Sequence, residues 1–189
     1  MNPHDCILFS GGTAGAEAEF GAQAEGLGID EVNFSFEGHQ ITRQRGRRLL
    51  NETELLKGDM GLNYISEQMG RTYSQTPAFR RVLQSIWHQV SNGESVFVIG
   101  RILPDGTVKG GTGWGAELAK LCYKTLHVFD QDRDQWFFWD KKEWKEGGKP
   151  VIADTRFTGT GTRFLEDNGR QAIAALFARS FPPADAQIA

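Results

Sequence analysis

Apolar and polar residues recur with two periods along this chain of 189 residues, and the two periods predict its secondary structure. Short apolar runs bounded by turn residues predict strands, whereas apolar residues three and four positions apart predict helices. The clearest helical pattern covers residues 77–92 and begins at Thr76-Pro77, a favourable helix start. The most apolar run, residues 94–100, predicts a strand at the centre of a sheet.

The rest of the pattern predicts strands that alternate with helices. Strands are expected at residues 5–10, 32–36, 94–100, 125–129, 135–139 and 150–153, and helices at residues 14–25, 52–70, 77–92, 116–123 and 165–179. Residues 40–48 show no clear period, residues 103–107 contain a Pro-Asp-Gly turn, and residues 158–163 are assigned to a loop. This alternation predicts an α/β fold in which helices cover both faces of a parallel sheet. We expect one domain over residues 1–181 and a flexible tail over residues 182–189.

Composition narrows the class of protein. The net charge of −3 argues against a general nucleic-acid binder, and no apolar run is long enough to span a bilayer. The first five residues lack the features of a signal peptide, so we expect a cytoplasmic protein. Cys6 and Cys122 stand in apolar stretches typical of reduced core cysteines. The four histidines show no metal-ligand spacing, so no metal site and no cofactor are expected.

Two glycine-rich segments each join a predicted strand to a predicted helix. The first contains Ser10, Gly11, Gly12, Thr13 and Gly15, and the second contains Gly110, Gly111, Thr112, Gly113 and Trp114. Glycines let backbone amides approach a ligand closely, and a helix N-terminus offers free N–H groups that favour an anion. Neither segment is a P-loop or a strict GxGxxG motif. Together they predict a phosphorylated ligand beyond the carboxyl ends of the strands.

These motifs resemble a known superfamily. The pattern Gly110-Gly111-x-Gly113-x-x-x-Glu117 resembles the GGxGTxxE segment of LOG-type phosphoribohydrolases, members of the SLOG superfamily of Rossmann-like nucleotide-binding proteins. The glycines at positions 11, 12 and 15 are similar to the first glycine loop of that superfamily, and the whole looks most like small YpsA-related SLOG proteins of bacteria and phages. The resemblance covers most of residues 5–180. It implies a Rossmann-like three-layer α/β/α sandwich with a mostly parallel sheet, and a homo-oligomer, either a dimer or a tetramer.

The chain differs from LOG enzymes at several positions that those enzymes use for hydrolysis. Lys109 stands where LOG enzymes have proline, and Trp114 stands where they have threonine. The arginine–lysine pair of LOG enzymes falls in register with Ile86 and Trp87. The glycine loops are therefore better preserved than the hydrolytic residues, which favours binding, or chemistry on another nucleotide, over cytokinin-type hydrolysis.

Some candidate residues have both a functional and a structural interpretation. The carboxylate of Glu117 could assist N-glycosidic cleavage, or it could complement the dipole of its own helix. The ring of Trp114 could cover a base or sugar, or it could pack in the core. Asp130 and Gln131 follow a strand, where they could contact ribose hydroxyls or cap a turn.

Other candidates lie in polar segments. Arg43 and Arg47 belong to an arginine-rich run that could bind a phosphate, remain solvated or contact another subunit. A third loop could supply a second phosphate contact, or Thr162 could simply cap the helix that follows; this loop contains Thr160, Gly161, Thr162 and Arg163. The aromatic residues 136–139 predict an edge hairpin or a subunit interface.

Three functions remain open from the sequence. The first is binding of a nucleotide or nucleotide-derived small molecule, as a sensor, a sequestering protein or a nucleotide-processing protein. The second is a LOG-like nucleoside 5′-phosphate N-glycosidase, or a glycosyl-transferring enzyme, that uses Glu117. The third is an oxyanion binder of the molybdenum-cofactor-carrier type. None of the three requires a membrane or a nucleic-acid partner.

Overall fold

An eight-stranded sheet between two layers of helices forms the protein. The computed structural model describes residues 1–72 and 76–183. After a 3-10 helix at Pro3–Asp5, the strands are β1 Ile7–Ser10, β2 Asp30–Ser35, β3 Arg47–Leu49, β4 Ser95–Gly100, β5 Thr125–Asp130, β6 Gln135–Trp139, β7 Trp144–Gly148 and β8 Arg156–Gly161. The α-helices are α1 Ala16–Gly26, α2 Glu52–Lys57, α3 Leu62–Met69, α4 Pro77–Asn92, α5 Thr112–Leu121 and α6 Asp167–Ser180.

The strand order is β3-β2-β1-β8-β4-β5-β6-β7. Neighbouring strands from β3 to β5 in that order are parallel, whereas the β5–β6 and β6–β7 pairings are antiparallel, so that β6 is the reversed strand. One face of the sheet is covered by α1 and α6, whose Phe20 and Phe177 pack with Phe97 and Phe157. The other face is covered by α2, α3, α4 and α5. The predicted Rossmann-like α/β sandwich with a mostly parallel sheet is therefore confirmed.

The last strand is the largest correction to the predicted elements. A strand was expected at residues 150–153 and a loop at residues 158–163, but the structure places β8 at Arg156–Gly161, between β1 and β4. This strand has no apolar run, and its threonines instead form hydrogen bonds with residues far away in the chain. The hydroxyl of Thr158, for example, donates to the carbonyl of Gln89 (2.7 Å). Gly159 leaves room for the ring of Phe20, whose Cγ would lie 2.5 Å from a Cβ at residue 159.

Smaller differences follow from turns. The helix expected at residues 52–70 is divided in two, because α2 ends at Lys57 and α3 begins only after Gly61, whose φ of +84° is not helical. The segment without a clear period contains β3, which forms at the outer edge of the parallel strands. The helix over residues 77–92 is confirmed, and so is the turn at residues 103–107, where the amide of Gly106 donates to the carbonyl of Leu103 (2.9 Å).

The topology places a crevice at the carboxyl edge of the sheet. From β1 the chain crosses through α1 to β2 on one side, whereas from β4 it crosses through α5 to β5 on the other side and the opposite face. The carboxyl end of β8 lies between these two diverging connections. Ligands of open α/β sheets bind at such a switch point, which here lies between the loops that follow β1, β8 and β4.

Two further predictions concern the chain as a whole. Of the tail predicted over residues 182–189, residues 184–189 lie outside the described part of the chain. Within residues 1–72 and 76–183, no helix is long and apolar enough to cross a membrane.

Candidate functional site

The first glycine loop follows β1 and is fixed on both sides. The carbonyl of Gly12 accepts hydrogen bonds from the amides of Thr42 and Arg43 (2.9 and 3.1 Å). Gly15 has a φ of +90° and lies against the chain after β8, since a Cβ on Gly15 would be 2.5 Å from the Cα of Arg163. The amide of Ala16 donates to the carbonyl of Thr162 (3.0 Å). The structure therefore brings together the predicted segments 11–15 and 161–163.

Glu17 lies at the centre of this loop, although the sequence analysis did not single it out. Its carboxylate accepts hydrogen bonds from the amide of Thr13 (3.0 Å) and from the hydroxyls of Thr13 and Thr160. The residue is only 5% exposed, and burial raises the pKa of its carboxyl group. A carboxylate of this chain thus fills the place where the N-terminus of α1 would hold an external anion. The available sequence signal was an acidic residue in the first turn after a glycine loop.

The second glycine loop leads into α5 and, unlike the first, has no carboxylate at the start of its helix. The amides of Gly110, Gly111 and Thr112 have no hydrogen-bond acceptor among the described residues, and the first turn of α5 holds no acidic residue. Gly110 and Gly111 are exposed, as is Lys109, whose ammonium group has no ion-pair partner within residues 1–72 and 76–183. Free N–H groups, a helix dipole and a nearby cation together favour an anion.

Arg71 supports this second loop and was also missed. Its guanidinium donates to the carbonyl of Val108 (2.9 Å) and to the hydroxyl of Thr107 (2.6 Å). A Cβ on Gly113 would lie 2.7 Å from the Nη1 of Arg71, so the cation is packed against the start of α5. Because these contacts join residues 36 or 37 positions apart, no local pattern could indicate them.

One of the three predicted arginines lies at the crevice, and the other two lie away from it. Arg163 is exposed beside Gly15, and its side chain has no ion-pair partner in the described part of the chain. Arg43 instead turns away from the first loop to the carboxylates of Glu31 and Glu25 (2.6 Å each). Arg47 lies on the outer strand β3. Of the predicted phosphate-binding arginines, Arg163 therefore lies at the crevice with a guanidinium group that no described residue pairs with.

Several predicted ligand-binding side chains already have internal partners. Asp130 accepts hydrogen bonds from the amides of Ile102 (3.0 Å) and Asp132 (2.9 Å) and pairs with Arg133 (2.9 Å). Gln131 accepts from the amide of Glu166 (2.8 Å) and thereby fixes the start of α6.

The hydroxyl groups of Ser10 and Thr162 also have hydrogen-bond partners within the chain. The hydroxyl of Ser10 donates to the carbonyl of Gly159 (2.7 Å), and the Oγ1 of Thr162 accepts from the amide of Phe164 (3.1 Å). These four residues, Ser10, Asp130, Gln131 and Thr162, shape the walls of the crevice, so we leave their side chains out of the proposed ligand contacts.

Trp114 and Glu117 do not face the crevice as the resemblance implied. Trp114 is 4% exposed and packs in the core beneath α5, so its ring is not available to cover a base or sugar. Glu117 pairs with Lys120 (2.8 Å) and lines a separate groove of about 900 Å³ between α3, α5 and the β6–β7 hairpin. No residue of either glycine loop lines that groove.

The rings of the aromatic β6–β7 hairpin likewise contact other residues of the same chain. Trp136 is buried, and the ammonium group of Lys120 lies 3.9 Å from the ring centre of Trp139 and 4.9 Å from that of Trp144. These rings therefore have partners inside the protomer, and the homo-oligomer stays a prediction. Within the described ranges, no three histidine, cysteine, aspartate or glutamate side chains cluster so that they could hold a metal ion.

The buried carboxyl group of Glu17 predicts a pH-dependent stability. Its pKa is raised by burial, and the hydrogen-bonding partners Thr13 and Thr160 carry no charge. The free energy of unfolding should therefore fall as the pH rises through the folded-state pKa, because the buried group must then ionise. In Glu17→Gln this loss should disappear, so the variant gains stability relative to the wild type at pH 8 but not at pH 4.5. Urea unfolding at both pH values measures it, and an equal difference at both would contradict the assignment.

Comparison with known proteins identifies a shared fold. No protein-family model matches this chain, and no curated protein matches it. Among solved structures, the chain is similar to a protein from Syntrophus aciditrophicus SB, described as "Putative molybdenum carrier protein". The TM-score is 0.52, the sequence identity is 14%, and 90% of each chain is covered. At this identity the likeness shows the common α/β fold.

Proposed function

We propose that the protein binds a phosphate-bearing small molecule, a nucleotide or nucleotide-derived ester, in the crevice at the carboxyl edge of the sheet. The ligand's anionic group lies at the N-terminus of α5. The observation that carries this proposal is the set of amides at Gly110, Gly111 and Thr112, which have no acceptor within residues 1–72 and 76–183, next to the exposed side chain of Lys109. Such a helix end binds phosphate through its N–H groups and its dipole.

The two glycine loops have different roles in this proposal. At α1 the amide of Thr13 already donates to Glu17, and an ionised Glu17 would repel a second anion. At α5 no acidic side chain competes for the first turn. The phosphate therefore binds at the second loop, while the first loop faces the rest of the ligand.

The remaining predicted residues complete the crevice. Gly11, Gly12 and Gly15 form one wall, and Gly161 at the end of β8 lies with the following Arg163 on the floor between the two loops. The exposed guanidinium of Arg163 suits a further phosphate oxygen, because its planar fork donates two hydrogen bonds to one oxyanion. Binding of this kind serves a sensor, a sequestering protein or a nucleotide-processing protein.

Binding of a tetrahedral oxyanion such as molybdate is the second candidate. Its support is the fold shared with the Syntrophus protein, together with amides that would suit any tetrahedral oxyanion. Glycosidic cleavage by Glu117 has less support, because this carboxylate pairs with Lys120 and lines a different groove. We therefore propose binding without turnover.

A ligand panel tests the proposal. The purified protein is mixed with nucleoside mono- and diphosphates, ADP-ribose, cyclic nucleotides, molybdate and tungstate, and thermal stability and release of free base are recorded together. A ligand present at 100 times its Kd should stabilise the protein by about 2.7 kcal/mol. We expect stabilisation by at least one nucleoside phosphate and no free base.

Other outcomes of the panel are equally informative. Stabilisation by molybdate or tungstate alone would favour the oxyanion carrier. Base release that disappears in Glu117→Gln would restore the glycosidase. No stabilisation by any anion would overturn anion binding at α5.

A further inference from the structure

Three buried polar side chains from three different elements converge on the first glycine loop. A Cβ built on Gly11 would lie 2.5 Å from the Nε2 of Gln89 and 2.8 Å from the Oε2 of Glu17. A Cβ built on Gly12 would lie 3.2 Å from the Oδ1 of Asn33. Glu17 belongs to α1, Asn33 to β2 and Gln89 to α4, and they are 5%, 0% and 2% exposed. A side chain at position 11 would displace these groups, and the φ of +68° at position 12 favours glycine.

Two of the three have an acceptor oxygen without a donor. The Oδ1 of Asn33 and the Oε1 of Gln89 are buried and have no hydrogen-bond partner in the described part of the chain. An unsatisfied buried acceptor destabilises the fold, so such a group is retained where something else satisfies it. The Glu17 carboxylate has three donors but can accept about four hydrogen bonds. The cluster of Glu17, Asn33 and Gln89 therefore has more acceptor oxygens than donors, although the atom of Gln89 nearest to Gly11 is Nε2, a donor.

A cluster of hydrogen-bond acceptors favours a different kind of ligand group from a helix N-terminus. It repels an oxyanion, whereas it suits a group that carries O–H or N–H donors. The side chain of Thr160 links the two regions, because its hydroxyl donates to Glu17 (2.9 Å) and its methyl group lies 3.9 Å from the Cβ position of Gly115 in α5. Since β1 and β4 are two strand spacings apart, their loops are separated by about 10 Å. One sugar phosphate is of this order of size.

We propose that this acceptor cluster is a subsite for the hydroxyl-bearing sugar of the ligand, in which Glu17 accepts a hydrogen bond from a sugar hydroxyl. The inference rests on the proposed function and deepens it, because it adds sugar recognition to phosphate binding. The carboxylate of the site is thus Glu17 rather than Glu117. The protein accordingly prefers a sugar phosphate to a bare oxyanion of similar charge.

The test compares two probes, D-ribose 5-phosphate and inorganic phosphate, by isothermal titration calorimetry. The wild type should bind ribose 5-phosphate about 10-fold more tightly than phosphate, the difference expected for one added hydrogen bond to a charged group. Glu17→Gln should remove this preference without weakening the binding of phosphate. Glu117→Gln, a matched change in the other groove, should leave both affinities unchanged. Thr160→Val provides a second variant if Glu17→Gln does not fold, and it should also reduce the preference.

The failures of the two proposals are distinguishable. A wild type that binds both probes equally, or a Glu17→Gln variant that keeps the preference, overturns the sugar subsite and leaves phosphate binding at α5 intact. A wild type that binds neither probe overturns phosphate binding at α5, and the sugar subsite with it.

Discussion

Replacing Gly111 with aspartate is expected to abolish phosphate binding while the fold stays at least as stable as the wild type. Gly111 is the N-cap of α5, its φ is −62°, and nothing lies within 4 Å of a Cβ at this position. The dipole at the start of α5 favours a carboxylate, so the fold is not destabilised, and the new negative charge would repel an anion bound by the neighbouring amides. Two like charges about 4 Å apart repel by about 4 kcal/mol near a protein surface, so affinity should fall at least about 100-fold.

The matched control for this prediction is Gly111→Asn. Asparagine has nearly the same shape, but it carries no charge. We expect it to weaken binding by less than about 10-fold, the equivalent of one neutral hydrogen bond. Calorimetric titration of the wild type and both variants with one ligand identified by the panel provides the comparison. An Asp variant that binds as tightly as the Asn variant would show that the ligand's anion lies elsewhere.

Replacing Gly159 with valine should cause the largest loss of stability that we expect from a single substitution. Gly159 lies in β8 at the centre of the sheet, and a Cβ there would lie 2.5 Å from the Cγ and 2.9 Å from the Cβ of Phe20. Phe20 is fully buried in the core formed by α1 and α6, so its ring has no free space to enter. Overpacking of this kind costs about 3 kcal/mol, which lowers the Tm of a domain of this size by about 10 °C.

Gly26→Ala is the control for added volume. Gly26 is the last residue of α1, and nothing lies within 4 Å of its Cβ position. Alanine should stabilise the helix there by about 0.5 kcal/mol, because it restricts the unfolded chain and favours helix. Thermal unfolding followed by circular dichroism measures both variants. A Gly159→Val variant that melts within 2 °C of the wild type, a margin of roughly 1 kcal/mol, would contradict the packing of α1 on β8.

The sequence predicted the parts of the fold that depend on local pattern. The helix over residues 77–92 has a clear apolar stripe and a proline at its start, and α4 has these bounds. The glycine segments at residues 11–15 and 110–113 stand between a strand and a helix because turns of this kind need glycine at positive φ, as at Gly12 and Gly110. Both follow strands that end at the same edge of the sheet.

The rest depends on contacts between residues far apart in the chain. β8 was missed because its small and hydroxylated residues are stabilised by Gln89, Glu17 and Phe20, which only the folded chain brings near. The importance of Glu17 could not be recognised for the same reason, since its partner Thr160 is 143 positions away. The ring of Trp114 packs in the core because α3, α4 and α5 cover the same face of the sheet.

The central claim is that the ligand's anionic group binds at the N-terminus of α5, and backbone amide chemical shifts test it most directly. A ¹⁵N-labelled sample of this 21.0 kDa chain is titrated with the nucleoside phosphate that gives the largest thermal stabilisation. The amide signals of Gly110, Gly111 and Thr112 should move most and saturate together, because these N–H groups gain the anion as an acceptor. The amide of Thr13 should move less, since it already donates to Glu17. Large shifts at Thr13 with unmoved signals at Gly110, Gly111 and Thr112 would contradict the account.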